Sequence, residues 1–243
     1  MIRLNKFLAT AGIASRRRCD DFILEGRVKV NGEIVTKLGY RIDEEHDRVA
    51  FDDAPVKLIT EKKYIIFNKP KGIITSTDDP YERKTVLDMI PIKQRIYPVG
   101  RLDYDTTGLL LLTNDGPLTN KLIHPRYKIE KKYLVLLDNI VRPISLYHLR
   151  RGIELDGKKT APCKISEIRI IDNCSFLEVV LYEGRNRQIR RMFESVGYQV
   201  TELERISFGP LILTGLPRGS WRYLNKNEIH SLHKYLEDIE AKT

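Results

Sequence analysis

Four consecutive leucines, Leu109 to Leu112, lie between Gly108 and the turn residues Asn114-Asp115-Gly116, and no other stretch constrains this chain of 243 residues so strongly. An unbroken apolar run bounded by turn signals belongs in a core, as a doubly buried strand or a piece of core helix, since periodicity alone does not separate the two. The strand is the expectation here. Ahead of it runs the polar segment Gly100-Arg101-Leu102-Asp103-Tyr104-Asp105-Thr106-Thr107. Carboxylates on a loop that enters a core element are rigidly supported while facing a cleft, where functional groups concentrate. Asp115 is placed to cap a short helix entered through Pro117.

The two loop acids read differently. An Asp in a loop commonly bonds its own backbone, which is the expectation for Asp105. Asp103 lies two residues after Arg101 and follows apolar Leu102. A cationic neighbour keeps a carboxylate ionised, which suits a nucleophile or a base. GRLDYDTTGLLLLTNDG resembles the signature of the RsuA-like ribosomal RNA pseudouridine synthases. The resemblance extends over nearly the whole chain and implies that Asp103 is the catalytic carboxylate.

Charge agrees with such a substrate. Forty-two Lys and Arg against 33 Asp and Glu give a formal charge of +9, which favours an anionic partner. Cys19, Cys163 and Cys174 form no CxxC pattern, and the histidines show no metal-ligand spacing with acidic or Cys support. Neither a disulfide framework nor a metal site is expected. With no apolar signal core and no run long enough to span a bilayer, the expected setting is cytoplasmic, away from membranes.

Along the chain, Leu4, Phe7, Leu8 and Ala11 recur at helical spacing, and Ser15 is placed to cap a second helix that buries Cys19, Phe22 and Ile23. Arg16, Arg17 and Arg18 occupy its first turn, where cations oppose the helix dipole unless an anion sits against them. They are candidate phosphate contacts. Asn31-Gly32 between Val28–Val30 and Ile34–Val35 is a hairpin signal. ASRRRCDDFILEGRVKVNG is similar to the S4 RNA-binding module. The expected division is an S4-like module over residues 1–55, a linker over 56–62 and a catalytic domain over 63–243.

In that domain Tyr64–Phe67 reads as a strand ending in Asn68-Lys69-Pro70-Lys71-Gly72, with Lys69 and Lys71 as candidate phosphate contacts. Thr85–Pro91 fits a short capped helix, and Lys131–Leu137 a strand. The family's K-x-Y-x-V segment maps an active-site Tyr onto Tyr133, whose ring can stack on a base. Strands over 163–171 and 176–182 precede EGRNRQIRRM, expected to open a helix with Ile189, Met192, Phe193 and Val196 inward. The resemblance pairs Arg190 of its QIR with the catalytic Asp, and two parallel bonds would fix that carboxylate. Arg187 and Gln188, with Arg101, are further candidate substrate contacts, and Leu203 falls where the family places an apolar residue under the target base. Asn225 and Glu228 approximate a capping box for a terminal helix with Ile229, Leu232, His233 and Leu236 inside.

These elements predict an α+β chain, in which a small S4 module precedes a domain with a mainly antiparallel sheet and flanking helices. The expected function is isomerisation of a uridine in ribosomal RNA, of the large-subunit RluB kind, without metal or cofactor, by a monomer. Three alternatives compete: a small-subunit RNA target, an assembly factor that binds RNA without chemistry, and a hydrolase using Asp103 and Asp105. The last is disfavoured, because acids two apart in a loop do not flank a scissile bond.

Overall fold

The computed structural model describes residues 1–58 and 61–241, so that Ile59 and Thr60 of the expected linker lie outside the described residues. The chain separates into two compact units, one of Met1–Lys62 with Ile92–Arg95 and one of Lys63–Pro91 with the chain from Ile96 on.

In the first unit, helices α1 (Leu4–Thr10) and α2 (Arg16–Leu24) form where the apolar spacing predicts them. Ser15 accepts a hydrogen bond from the Arg18 N–H at 3.2 Å. Strands β1 (Val28–Val30) and β2 (Glu33–Ile34) are joined through Asn31 and Gly32, both at positive φ, as a tight two-residue hairpin requires. β3 (Val49–Phe51) pairs with the other side of β1, and β4 (Ala54–Pro55) pairs with β3. Leu4, Leu8, Cys19, Ile23, Val28 and Ile42 fill the core. Arg18 is engaged by Asp21 at 3.5 Å and Glu25 at 3.4 Å, with its guanidinium 4.5 Å from the Phe22 ring centroid. Only Arg16 and Arg17 of the basic turn are exposed without an ion-pair partner among the described residues.

The second unit is built on β5 (Tyr64–Lys69) and β6 (Thr107–Thr113), each buried at every position. The leucine run is therefore a strand. α3 (Gly116–Ile123) follows, capped by the Asp115 carboxylate on the Leu118 N–H at 3.1 Å. Then come β7 (Lys131–Leu137), α4 (Pro143–Arg150), β8 (Lys164–Ile171), β9 (Cys174–Leu181), α5 (Gln188–Glu194), β10 (Val200–Phe208), β11 (Trp221–Tyr223) and α6 (Lys226–Glu240).

The main sheet runs β8-β9-β7-β10-β6-β5-β11. Neighbours along this path are antiparallel except β10 and β6, which pair in parallel through Glu204 with Thr107 and Arg205 with Gly108. That short pairing joins two halves. β7, β8 and β9 share one core with α4 and α5, while β5 and β6 share another with α3 and α6. A seam between two rigid halves is where side chains from both converge.

Several local expectations are corrected. Thr85–Pro91 holds only a 3₁₀ turn, Leu87–Met89: the Asp88 carboxylate caps it on the Thr85 N–H at 2.7 Å, and Pro91 stops any extension. α5 begins at Gln188, so Arg185 and Arg187 precede it, Arg187 with φ +48°. The terminal helix has its full capping box, but His233 is exposed and meets Tyr64 edge-on.

Candidate active site

The segment Asn68-Lys69-Pro70-Lys71-Gly72 decides the shape of the loop that carries Asp103. Lys69 continues the doubly buried strand β5 and is itself 0 % exposed. Its ammonium donates to the carbonyls of Pro70 at 3.1 Å, Asp103 at 3.0 Å and Thr106 at 3.1 Å. Thr75 Oγ1 donates to the Leu102 carbonyl at 2.7 Å, the Gly72 N–H to the Tyr104 carbonyl at 2.9 Å, and the Thr106 N–H closes a turn on the Asp103 carbonyl at 3.1 Å. The backbone around Asp103 is thus saturated from behind and its side chain turned outward.

Lys69 therefore cannot meet a phosphate, contrary to expectation, because a fully buried ammonium finds its acceptors in the protein. Burial pushes its pKa down to about 8 against the pull of Asp103 and Asp105. Lys71 remains exposed. Lys69→Met is expected to cost about 3 kcal/mol, since each buried carbonyl left without a donor costs about 1–3 kcal/mol and relief of the buried charge offsets part of the total. Urea unfolding of the two forms measures it.

Asp103 is half-buried, and no hydrogen bond or ion pair reaches its carboxylate among the described residues. It lines a cavity of about 410 Å³ with Arg101, Tyr133, Leu203 and Arg205. Its charge acts on Lys69, Arg187 and Arg190 without direct contact. Tyr133 on β7 and Leu203 on β10 come from neighbouring antiparallel strands, with Leu203 opposite Val135. Arg101 is exposed at the cavity wall and makes no ion pair among the described residues.

The partner of Arg190 is a correction. Its Nε lies 3.2 Å from the Asp105 carboxylate and its Nη2 donates to the Asp105 carbonyl at 3.2 Å, while Nη1 is anchored on the Val200 carbonyl at 2.6 Å. Arg187 grips the same carboxylate through two parallel bonds of 3.2 Å each. The turn between the two acids presents Asp105 to α5 and leaves Asp103 to the cavity. Asp105 thus serves neither its own backbone alone nor a hydrolytic pair; it staples the Asp103 loop to the opposite half of the sheet. Gln188 is likewise taken internally, accepting from the Arg185 N–H at 2.9 Å and donating to Glu183 at 2.7 Å. Sequence reasoning missed Thr75 and Glu183, whose roles need contacts across the fold.

Burial raises the Asp105 pKa, but the Arg187 bonds and the Arg190 charge outweigh it and hold it below the ordinary carboxylate value. A depressed carboxylate stabilises the fold above its unfolded pKa, and that stability is lost as pH falls through the folded one. The pair is partly solvent-screened, so the amount is no more than about 1 kcal/mol. Asp105→Asn is expected to flatten the acid side of the stability profile below about pH 4, measured by urea midpoints against pH.

Comparison with known proteins agrees with this geometry. The family model described as RNA pseudouridylate synthase matches residues 63–195, more than half of the chain. The chain belongs to that family. The S4 domain model matches residues 2–49 of the synthase. An uncharacterised RNA pseudouridine synthase of Aquifex aeolicus is 45% identical over 235 residues, covering 96% of this chain and 94% of the relative. A Bacillus subtilis protein called ribosomal large subunit pseudouridine synthase B is 44% identical over 235 residues, covering 96% of each chain. A crystal structure of a pseudouridylate synthase superposes with a TM-score of 0.68 at 34% identity, covering 96% of this chain and 100% of that one. The synthase is thus an isomerase with an α+β fold. No helix among its described residues is long and apolar enough to cross a membrane.

Proposed function

We propose that this synthase converts one uridine of large-subunit ribosomal RNA to pseudouridine, with Asp103 as the acting carboxylate. The observation that carries the reading is the Asp103 side chain, unpartnered on a loop saturated from behind, in a cavity that also holds Tyr133 and Leu203. The Bacillus subtilis relative, 44% identical and named for the large subunit, supports the choice of RNA.

A base inside a helix is out of reach of any carboxylate, so the target nucleotide leaves its stack and enters the cavity. Tyr133 offers a ring for stacking, Leu203 an apolar surface beneath the base, and Arg101 a phosphate contact at the wall. Arg187 and Arg190 act at one remove, by holding Asp105 and with it the turn that aims Asp103. Arg16 and Arg17 of the S4-like module, residues 1–55, add phosphate contacts, and residues 56–62 link it to the catalytic domain, 63–243. On this reading the enzyme works in the cytoplasm and needs neither metal nor cofactor.

Mapping pseudouridines in ribosomal RNA from cells with and without the gene tests the proposal. Loss of one large-subunit pseudouridine, restored by purified protein, is the expected result. A small-subunit position would overturn the choice of RNA, and an unchanged map would overturn the function.

A further inference from the structure

The cavity also carries charge that the proposed function leaves unused, on Lys131 and Arg205. Lys131 and Tyr133 are two apart on β7, and Leu203 and Arg205 are two apart on β10, so each pair shares a sheet face. Tyr133 stands opposite Arg205, and the pairing shifts register between Lys132 and Tyr133. Arg205 and Phe208, three apart, would face opposite sides of a regular strand; the bulge turns both toward the cavity.

The Lys131 ammonium donates to the Ile129 carbonyl at 2.9 Å and lies 5.8 Å from the Phe208 ring centroid. The Arg205 guanidinium lies 5.0 Å from the same centroid and donates from Nε to the Leu109 carbonyl at 2.8 Å. Arg205 is 2 % exposed, and its Nη2 is buried with no hydrogen-bond partner among the described residues. Neither cation forms an ion pair among the described residues. Burial, with Arg205 nearby, pushes Lys131 down to about 8, and Glu183 offsets this only in part. Two desolvated cations without a carboxylate between them are costly to a resting fold, and such groups cluster where chemistry needs them.

We propose that Lys131 and Arg205 form a cationic clamp that stabilises the uracil ring as it leaves the ribose. This rests on the reading that the Asp103 cavity receives the target uridine. When the C1′–N1 bond breaks, its electron pair stays on the base, and the charge spreads over N1 and the two ring carbonyl oxygens. Ammonium and guanidinium donors beside the ring meet that charge as it develops, without reorganisation of solvent. A ring electron pair then forms the C1′–C5 bond, C5 loses its proton and N1 gains one, so the isomerisation balances with no co-reactant. Neutral uridine draws little on the clamp, so the two cations act mainly on the step.

The test compares single-turnover consumption of a target uridine with that of 5-fluorouridine at the same position, whose base is more acidic and carries the leaving charge more easily. Fluorine at C5 blocks the final proton loss, so consumption of the target nucleoside, after digestion, is the readout for both. Lys131→Met is expected to lose about 10²-fold with uridine and about tenfold or less with 5-fluorouridine, at unchanged RNA affinity, and Lys131→Arg to recover most of the loss. Arg205→Lys, which keeps a charge but removes the forked guanidinium donors, serves as an independent variant should the Met form not fold; the same narrowing with 5-fluorouridine is expected of it. Equal losses on the two substrates, or no loss, would overturn the clamp while leaving the proposed function standing. A wild-type enzyme that consumes no uridine at all would sink both.

Discussion

Asp103→Asn is expected to slow conversion of the target uridine by at least about 10⁴-fold while leaving RNA affinity within about twofold. The substitution is nearly isosteric and removes the charge without touching the loop. What holds the loop is the backbone: the carbonyl of residue 103 receives the Lys69 ammonium at 3.0 Å and the Thr106 N–H at 3.1 Å, and neither bond involves the carboxylate. Asn at this position therefore folds like Asp and lacks only the ionised oxygen. The side chain has no partner that its loss would strand. Single-turnover assays on a transcript with one target uridine, beside filter binding of the same RNA, separate chemistry from affinity. Conversion at the wild-type rate would remove Asp103 from the mechanism, and a parallel loss of binding would assign it to RNA contact.

The largest effect on folding is expected of Gly108→Ala, about 4–5 kcal/mol or complete failure to accumulate folded protein. Gly108 has φ +102°, and a Cβ built there lies 2.3 Å from the carbonyl oxygen of Arg205 and 2.7 Å from its nitrogen. Both colliding atoms are backbone, so no side chain can move aside. The position lies at the seam of the two sheet halves, paired with Lys69 on β5 and with Arg205 on β10. Displacement there opens the parallel pairing that joins the two halves of the sheet and moves the wall of the cavity. Gly157 gives the control: at φ +71° with nothing within 4 Å of a built Cβ, its replacement by Ala costs about 1 kcal/mol, for the backbone conformation alone. Urea midpoints of the two variants give the difference.

The features that sequence foretold share a short range. The turn at Asn31-Gly32, the cap by Ser15, the cap by Asp115 and the box of Asn225 with Glu228 each involve residues within a few positions of one another. The buried strand Thr107–Thr113 needed only its own apolar run and the glycine before it. The S4 and GRLD segments were recognisable by their resemblance to known families. Where a local expectation failed, a local feature was responsible: Pro91 held Leu87–Met89 to a single turn.

The site is different, because its assignments are made across the seam. Sequence supplied a carboxylate at Asp103, an aromatic at Tyr133 and an arginine at Arg190, and the fold brings all three to one region of the second unit. Which acid Arg190 holds was decided by the turn that presents Asp105 to α5. Whether Lys69 faces RNA or the interior was decided by the strand's burial on both faces, which left its ammonium only the carbonyls of the Asp103 loop. Periodicity records which side chains share a face of their own element. It carries nothing about which distant segment will supply a hydrogen-bond partner, and packing alone settles that, since most buried polar groups pair with what a neighbouring segment places within reach.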